Sequence, residues 1–291
     1  MSAVLVTGAT GFTGSAVVRL LLAQGHSVRC FVRPTSDRRW LPATGIDWAV
    51  GDVGDVGSLA TALAGIDVLV NVASLGFGHA PTIVQAAREA GVPRAVFVST
   101  TALLTAIPAQ SKAVRAAAEA LIVESGIAAT ILRPTMIYGS RRDRNISRLI
   151  GYVKASPLIP VFGSGRHLQQ PVHVDDVAAA IACSALTPLA TGRTYTVAGP
   201  QALSYNQVID AVAAAVGRRV LTIHLPASPV VAALSRLESV GIKLPIKSEQ
   251  VRRLEEDKTF EIADAVRDLG FSPRSFQEGV RLEVAEMAGN A

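Results

Sequence analysis

A chain of 291 residues, 49% of them hydrophobic and with a formal charge of +5, is long enough to bury a sizeable core and too apolar to stay disordered. Its two cysteines, Cys30 and Cys183, stand far apart and outside metal-ligand spacing, which argues against a disulfide framework or a zinc site and fits a reduced, cytoplasmic setting. Aromatic residues are scarce at 5%, and the basic residues are scattered apart from Arg38-Arg39, Arg141-Arg142 with Arg144, and Arg252-Arg253, so nucleic-acid binding is not expected. No apolar run approaches the length of a membrane span, and the first residues enter an apolar strand with no basic leader.

In chain order the pattern predicts a strand over residues 3–7, a helix over 12–24, a strand over 27–32, a third strand over 47–50 and a fourth over 68–72. A helix over 82–90, a strand over 95–99, an Ala-rich helix over 111–124 and a strand over 129–133 follow. Short β-branched runs alternating with helical stretches imply six parallel strands crossed over by helices. Glycines 25, 65, 91 and 126 each fall just past a helical stretch, where a left-handed terminal residue is wanted. After Tyr138 the text becomes Arg-rich and punctuated by Pro and Gly. The expected division is mainly residues 1–165 for the sheet domain and mostly 166–291 for a smaller α/β lobe, with some segments returning to the sheet body.

Gly8, Gly11 and Gly14 follow the first strand and open the first helix, among Thr7, Thr10, Phe12 and Thr13. In that context a Gly-rich turn brings backbone amides and a helix N-terminus to a pyrophosphate, the arrangement of a Rossmann-type doubly wound parallel sheet. About 20 residues beyond such a motif an acid favours NAD(H), whereas arginine suits a 2′-phosphate. Arg33, with Arg38 and Arg39 behind it, therefore points to NADP(H), with NAD(H) as the alternative. Asp52 and Val53 follow the third strand, within reach of an adenine, or Asp52 is a turn residue. Val72, Ala73 and Ser74 close the fourth strand, where small side chains let a cofactor lie over the sheet edge.

Thr7 to Gly14, Gly51-Asp52-Val53, Ser99-Thr100-Thr101, Arg133-Pro134-Thr135-Met136-Ile137-Tyr138-Gly139 and Val172-His173-Val174-Asp175-Asp176-Val177-Ala178 occur in the order that resembles the extended short-chain dehydrogenase/reductases, the NAD(P)-dependent epimerases and dehydratases. Asp268 to Arg274 before Gly279 resembles their C-terminal end. Leu244 to Val251 with Glu256-Asp257 is similar to an atypical branch that includes the nucleotide-binding accessory subunit of respiratory complex I. The resemblance implies a small C-terminal α/β lobe over the substrate, and it adds Thr100, Arg115, Pro134 and Ile137 to the cofactor contacts. It also implies catalysis by a Tyr-x-x-x-Lys pair with Ser or Thr, in which the lysine lowers the tyrosine pKa.

That pair is missing. Counting from Glu119 places Arg115 at the lysine position and Ser111 at the tyrosine position; taking Lys112 as the lysine places Pro108 at the tyrosine. Neither register holds a phenol, and a serine needs an activating base. Thr101, Ser111 and Lys112 are the remaining catalytic candidates, and Tyr138 reads as packing. His173 with Asp175-Asp176 leads into a helix start, where N-capping outweighs metal ligation. Gln169-Gln170 replaces the Arg-Asp step of sugar-nucleotide enzymes, leaving Arg141, Arg142, Arg144 and Arg166 as anionic grips. Two functions follow: an NADP(H)-dependent oxidoreductase or epimerase/dehydratase-like enzyme on a small anionic or nucleotide-linked substrate, or a redox-inactive NADP(H)-binding structural, sensing or assembly protein. The apolar stretch 230–237 with Val240, Ile242 and Leu244 would either wall a greasy substrate pocket or dock a protein partner, and a homodimer is a further expectation.

Overall fold

The computed structural model describes residues 1–106, 110–241 and 248–289. Its elements run β1 (Ala3–Thr7), α1 (Phe12–Ala23), β2 (Ser27–Val32), β3 (Ile46–Val50), α2 (Val56–Leu63), β4 (Val68–Asn71), α3 (Ala80–Glu89), β5 (Arg94–Val98), α4 (Gln110–Glu124) and β6 (Ala129–Pro134). There follow β7 (Ile137–Tyr138), α5 (Ile146–Ala155), β8 (Leu158–Phe162), β9 (Leu168–Gln169), β10 (Val172–His173), α6 (Val174–Leu186) and β11 (Thr194–Val197). The chain closes with β12 (Leu203–Ser204), α7 (Tyr205–Val216), β13 (Leu221–Leu225), α8 (Ala227–Ser239), α9 (Ser248–Arg253), α10 (Ala263–Leu269) and α11 (Phe276–Met287).

Two compact units share these elements. The first comprises Met1–Thr135, Val174–Ala198 and Glu261–Ser272. Its sheet, among the described residues, has seven strands in the order β11-β6-β5-β4-β1-β2-β3, every neighbouring pair parallel. The order turns back between β1 and β4, which opens a crevice at the carboxyl ends of those strands. Val4, Leu5, Val6, Val68, Leu69, Val70, Ala95, Val96 and Phe97 are all buried, as continuous apolar strands covered on both faces must be. Leu59, Leu63, Ile83, Ala118 and Ile122 of α2, α3 and α4 pack on one face, while α1 and α6 pack together on the other.

Two features exceed the sequence pattern. The seventh strand, β11, pairs with β6 after a long excursion through the second unit, so no βαβ rhythm announces it. Helix α2 is only 8 residues long, and its start is fixed by Asp55, whose side chain accepts the Gly57 amide at 3.0 Å.

The second unit comprises Met136–His173, Gly199–Phe260 and Pro273–Ala291. Among the described residues it contains three two-stranded sheets, β7 with β10, β9 with β12 and β8 with β13. Helices α5, α7 and α11 enclose its core of Tyr138, Ile146, Ile150, Val153, Val208, Val212, Phe276 and Val280. Helix α7 starts with a reciprocal Ser204–Gln207 capping box and stops at Gly217 in the left-handed conformation. Of the earlier readings, Pro108 and the segment 242–247, with Ile242 and Leu244, lie outside the described residues.

The glycines separate into those that space requires and those it does not. A Cβ on Gly14 would stand 2.1 Å from the Gly8 carbonyl oxygen, whereas one on Gly151, inside α5, meets nothing within 4 Å. Gly14→Ala should therefore lower the urea midpoint, and Gly151→Ala should raise stability by roughly 0.5–1 kcal/mol through backbone entropy. Equal responses of the two variants in urea titrations would contradict the fold described.

Candidate functional site

The crevice of the first unit is shaped by close backbone approach. Gly8 has φ of 65°, and a Cβ there would lie 2.7 Å from the Ala73 amide nitrogen. Gly11 donates its amide to the Gly8 carbonyl at 2.9 Å, which folds the turn before α1. The N-cap of α1 is Gly11, with no capping side chain, and its first turn carries no acidic residue. Backbone amides at a positive helix end are thereby left to an anion. Each face of this cradle would be filled by a side chain, and the donors are uncapped amides, so Gly8, Thr10, Gly11, Phe12, Thr13 and Gly14 fit a dinucleotide pyrophosphate.

Buried side chains hold the cradle from beneath. Thr7 Oγ1 donates to Asn71 Oδ1 at 2.6 Å, and Asn71 Nδ2 donates to the Ala73 carbonyl at 3.0 Å. Both side chains belong to residues with no exposed surface. Val72 donates its amide to the Thr7 carbonyl at 3.2 Å. The ends of β1 and β4 are thus cross-tied where Gly8 and Ala73 meet. Asn71 closing an otherwise apolar strand was the only hint of this tie in the sequence.

Around the rim, Arg33 is exposed just past β2, and among the described residues its guanidinium has neither an ion pair nor a hydrogen bond. Arg38 lies over the Trp48 ring at 4.4 Å, and Arg39 pairs with Asp37 at 2.6 Å. Asp52 is exposed and closes its own turn, accepting the Gly54 amide on Oδ1 at 2.8 Å; Val53 beside it is half-buried. Ser74 accepts the Gly76 amide at 3.2 Å and caps a 3-10 turn, Leu75–Phe77.

The catalytic candidates lie on the loop after β5, which carries Thr101, and at the start of α4, which carries Ser111 and Lys112. Thr100 caps the 3-10 turn Thr101–Leu104 by accepting the Ala102 amide at 3.2 Å. Thr101 is buried and donates its hydroxyl to the Pro134 carbonyl at 3.3 Å. Ser111 is half-buried in the first turn of α4, and the neighbouring Lys112 Nζ donates to the Thr105 carbonyl at 2.5 Å. That carbonyl contact was not foreseen from the sequence. Arg115 lies one turn on, its guanidinium carbon 2.9 Å from where a Gly76 Cβ would stand, so glycine makes room for it. Glu119, buried a further turn along, accepts Arg133 at 2.5 Å and ties α4 to β6.

Ile137 belongs to the second unit, in β7 against β10. Tyr138 beside it has no exposed surface and packs edge-on against His173, with centroids 5.3 Å apart, and against Phe276. Gln170 is occupied structurally, donating to the Gly199 carbonyl at 2.8 Å and accepting the Phe260 amide at 2.7 Å. Arg141 pairs with Glu286 at 3.4 Å, while Arg144 and Arg166 are exposed and make no ion pair among the described residues. Asp175 and Asp176 sit in the first turn of α6, where negative charge complements the helix dipole.

Residues 8–188 match the model of an NAD(P)H-binding family. The chain is 31% identical to an NAD(P)H azoreductase of Xenophilus azovorans over 75% of each protein. It is 26% identical to a 3-beta-hydroxysteroid dehydrogenase of Mycolicibacterium neoaurum over 93% of this chain and 87% of that one. In structure it is similar to the UDP-glucose 4-epimerase of Thermotoga maritima, solved with UDP-glucose, with a TM-score of 0.78 over 99% of both chains at 17% identity, a likeness of fold. The glycine cradle and its cross-tied strand ends are those of a protein that belongs to the NAD(P)H-binding family and is built on a Rossmann-type sheet.

Proposed function

We propose that this chain is an NADP(H)-dependent oxidoreductase or epimerase/dehydratase-like enzyme that works without a tyrosine-lysine pair. The observation that carries the cofactor preference is Arg33, exposed beyond β2 with an uncommitted guanidinium, at the distance from the glycine turn where an acid would favour NAD(H). Asp37, the nearest acid in that segment, is spent on Arg39. The azoreductase and the steroid dehydrogenase, by their names, are redox enzymes, which supports turnover in this chain as well.

The bound cofactor would supply hydride transfer. This chain's own residues would then bind, orient and hold a proton. Lys112 is the leading proton donor, because its ammonium carries three hydrogens and the Thr105 carbonyl takes one, which fixes the head while leaving donors for a substrate oxygen or nitrogen. Ser111 stands beside it. Thr101 is a positioning residue in this reading, since its hydroxyl is turned to Pro134. Arg144 and Arg166, exposed and unpaired, support a small anionic or nucleotide-linked substrate.

One observation favours the second reading, a redox-inactive protein that holds NADP(H) as a structural or sensing ligand. The nearest phenol in sequence to the catalytic segment, Tyr138, is wholly buried in the second unit. The two readings separate on cofactor exchange: release of NADPH within seconds to competing NADP+ supports turnover, and retention for hours supports a structural ligand. No binding of NADPH would overturn both.

Arg33→Ala should weaken NADPH by about 1.5–3 kcal/mol, on the order of 10- to 100-fold in Kd, while leaving NADH nearly unchanged. Fluorescence titration with both cofactors tests this, and a parallel loss for NADH would remove Arg33 from 2′-phosphate recognition. In a carbonyl or azo reduction assay, Lys112→Ala should lower kcat by about 10²- to 10⁴-fold with little change in KM. Undiminished turnover would remove Lys112 as the donor.

A further inference from the structure

In the second unit, one face of α11 lies against the segment that follows β7. Gly279 and Glu283, one turn apart on that face, are both buried. A Cβ on Gly279 would stand 2.1 Å from the Tyr138 hydroxyl oxygen, so the phenol fills a notch that only glycine leaves. One turn on, Glu283 has no exposed surface, and Asp143, 6% exposed, faces it. Asp143 Oδ1 accepts the amides of Asn145 at 2.8 Å and Ser147 at 3.2 Å. Its Oδ2 has no N–H or O–H donor among the described residues. The two carboxyls lie within hydrogen-bonding reach of each other, and the Gly139 amide is also directed at Glu283.

The charges acting on Glu283 are those of Asp143 and of Glu286 on its own helix, both negative. Glu286 is itself engaged by Arg141 at 3.4 Å. Arg142, half-buried, and Arg144, exposed, share the Asp143 loop. Of the elements packed against α11, β10 brings His173, whose ring lies on Gly139; α5 carries Arg148, Tyr152 and Lys154, all exposed; α7 carries Tyr205, half-buried, and Asp210, exposed. Among the described residues no wholly buried lysine or arginine lies at the pair, and two adjacent buried carboxylates without a cation resist ionising together.

We propose that Glu283 stays protonated in the folded protein and donates its carboxyl hydrogen to Asp143 Oδ2, a one-proton clasp that holds α11 to the loop after β7 and loosens as pH rises. Each orphaned oxygen then has a role: Oδ2 accepts, one Glu283 oxygen donates, and the other faces the Gly139 amide. The clasp sits between the Tyr138 notch and the Arg141–Glu286 pair along the same helix, so it governs how firmly the loop carrying Arg141, Arg142 and Arg144 is held.

Burial first, and then the Asp143 carboxyl, push the Glu283 carboxyl up from 4.5 to about 10. Because the folded value is above the unfolded one, this contribution to stability is complete below 4.5 and declines from there until about 10 is reached. Across that window one extra proton is bound in the folded state, which raises the unfolding equilibrium constant about tenfold per pH unit.

The test is urea unfolding of the full chain between about pH 6 and pH 9, comparing the unmodified protein with Glu283→Gln, which imitates the neutral acid. The pH dependence of unfolding should become shallower in the variant by close to one proton, and the variant should be the more stable at the alkaline end. An unchanged slope would overturn the clasp. Asp143→Asn provides an independent arm, because its amide donates to a Glu283 carboxylate and removes the need for the proton. The slope should flatten there also, and its persistence would count against the proposal. Infrared spectra at neutral pH give a third readout, a carboxylic-acid C=O band that Glu283→Gln must abolish.

Discussion

The first unit depends on how closely three backbone segments approach one another at the carboxyl end of β1. Gly8 turns with positive φ against the Ala73 amide, and Gly14 sits on the Gly8 carbonyl at a distance no Cβ permits. Only this approach lets α1 begin directly above the strand end, with its first amides directed into the crevice. The Thr7–Asn71–Ala73 bonds give the arrangement its rigidity, since buried polar groups tied in this way are costly to part. The donors the cradle presents to an anion are therefore main-chain atoms, and Thr7 and Asn71 brace them from beneath.

A second layer of organisation runs along α4. Lys112, Arg115 and Glu119 recur at three- and four-residue spacing and so share one side of the helix. Lys112 donates to the Thr105 carbonyl, Arg115 stands against Gly76 and reaches the Ser111 carbonyl at 3.5 Å, and Glu119 accepts Arg133. The Glu119–Arg133 pair is mostly shielded from water, so it stiffens the junction of α4 with β6 more than an exposed pair would. Arg115 is bulky and carries a planar fork, and it is accommodated because residue 76 has no side chain.

The second unit solves its own packing problem differently. Its sheets are short and paired, so its helices must carry the core, and α11 does so through a glycine notch, an acid pair and an ion pair spaced along one face. Gln170, where sugar-nucleotide enzymes have a charged step, is fully spent on the Gly199 and Phe260 backbone. That use makes the residue a brace for the loop at Phe260.

The strand and helix periods, the three glycines and the absence of a phenol on α4 were legible from sequence, because each is a local pattern that fixes a local structure. Strands β1, β2 and β6 and helix α1 fall within one residue of where hydrophobic alternation puts them. Arg33 was legible as well, since its place beyond β2 follows from chain distance alone. Tertiary structure decided what chain distance cannot express. It brought β11 back to β6, turned Thr101 toward Pro134, set Lys112 on the Thr105 carbonyl and placed Glu283 against Asp143, 140 positions earlier in the numbering of the chain. In a linear reading Glu283 is one more polar residue of an amphipathic helix; only burial beside a second carboxyl, with water excluded, gives its proton a structural role.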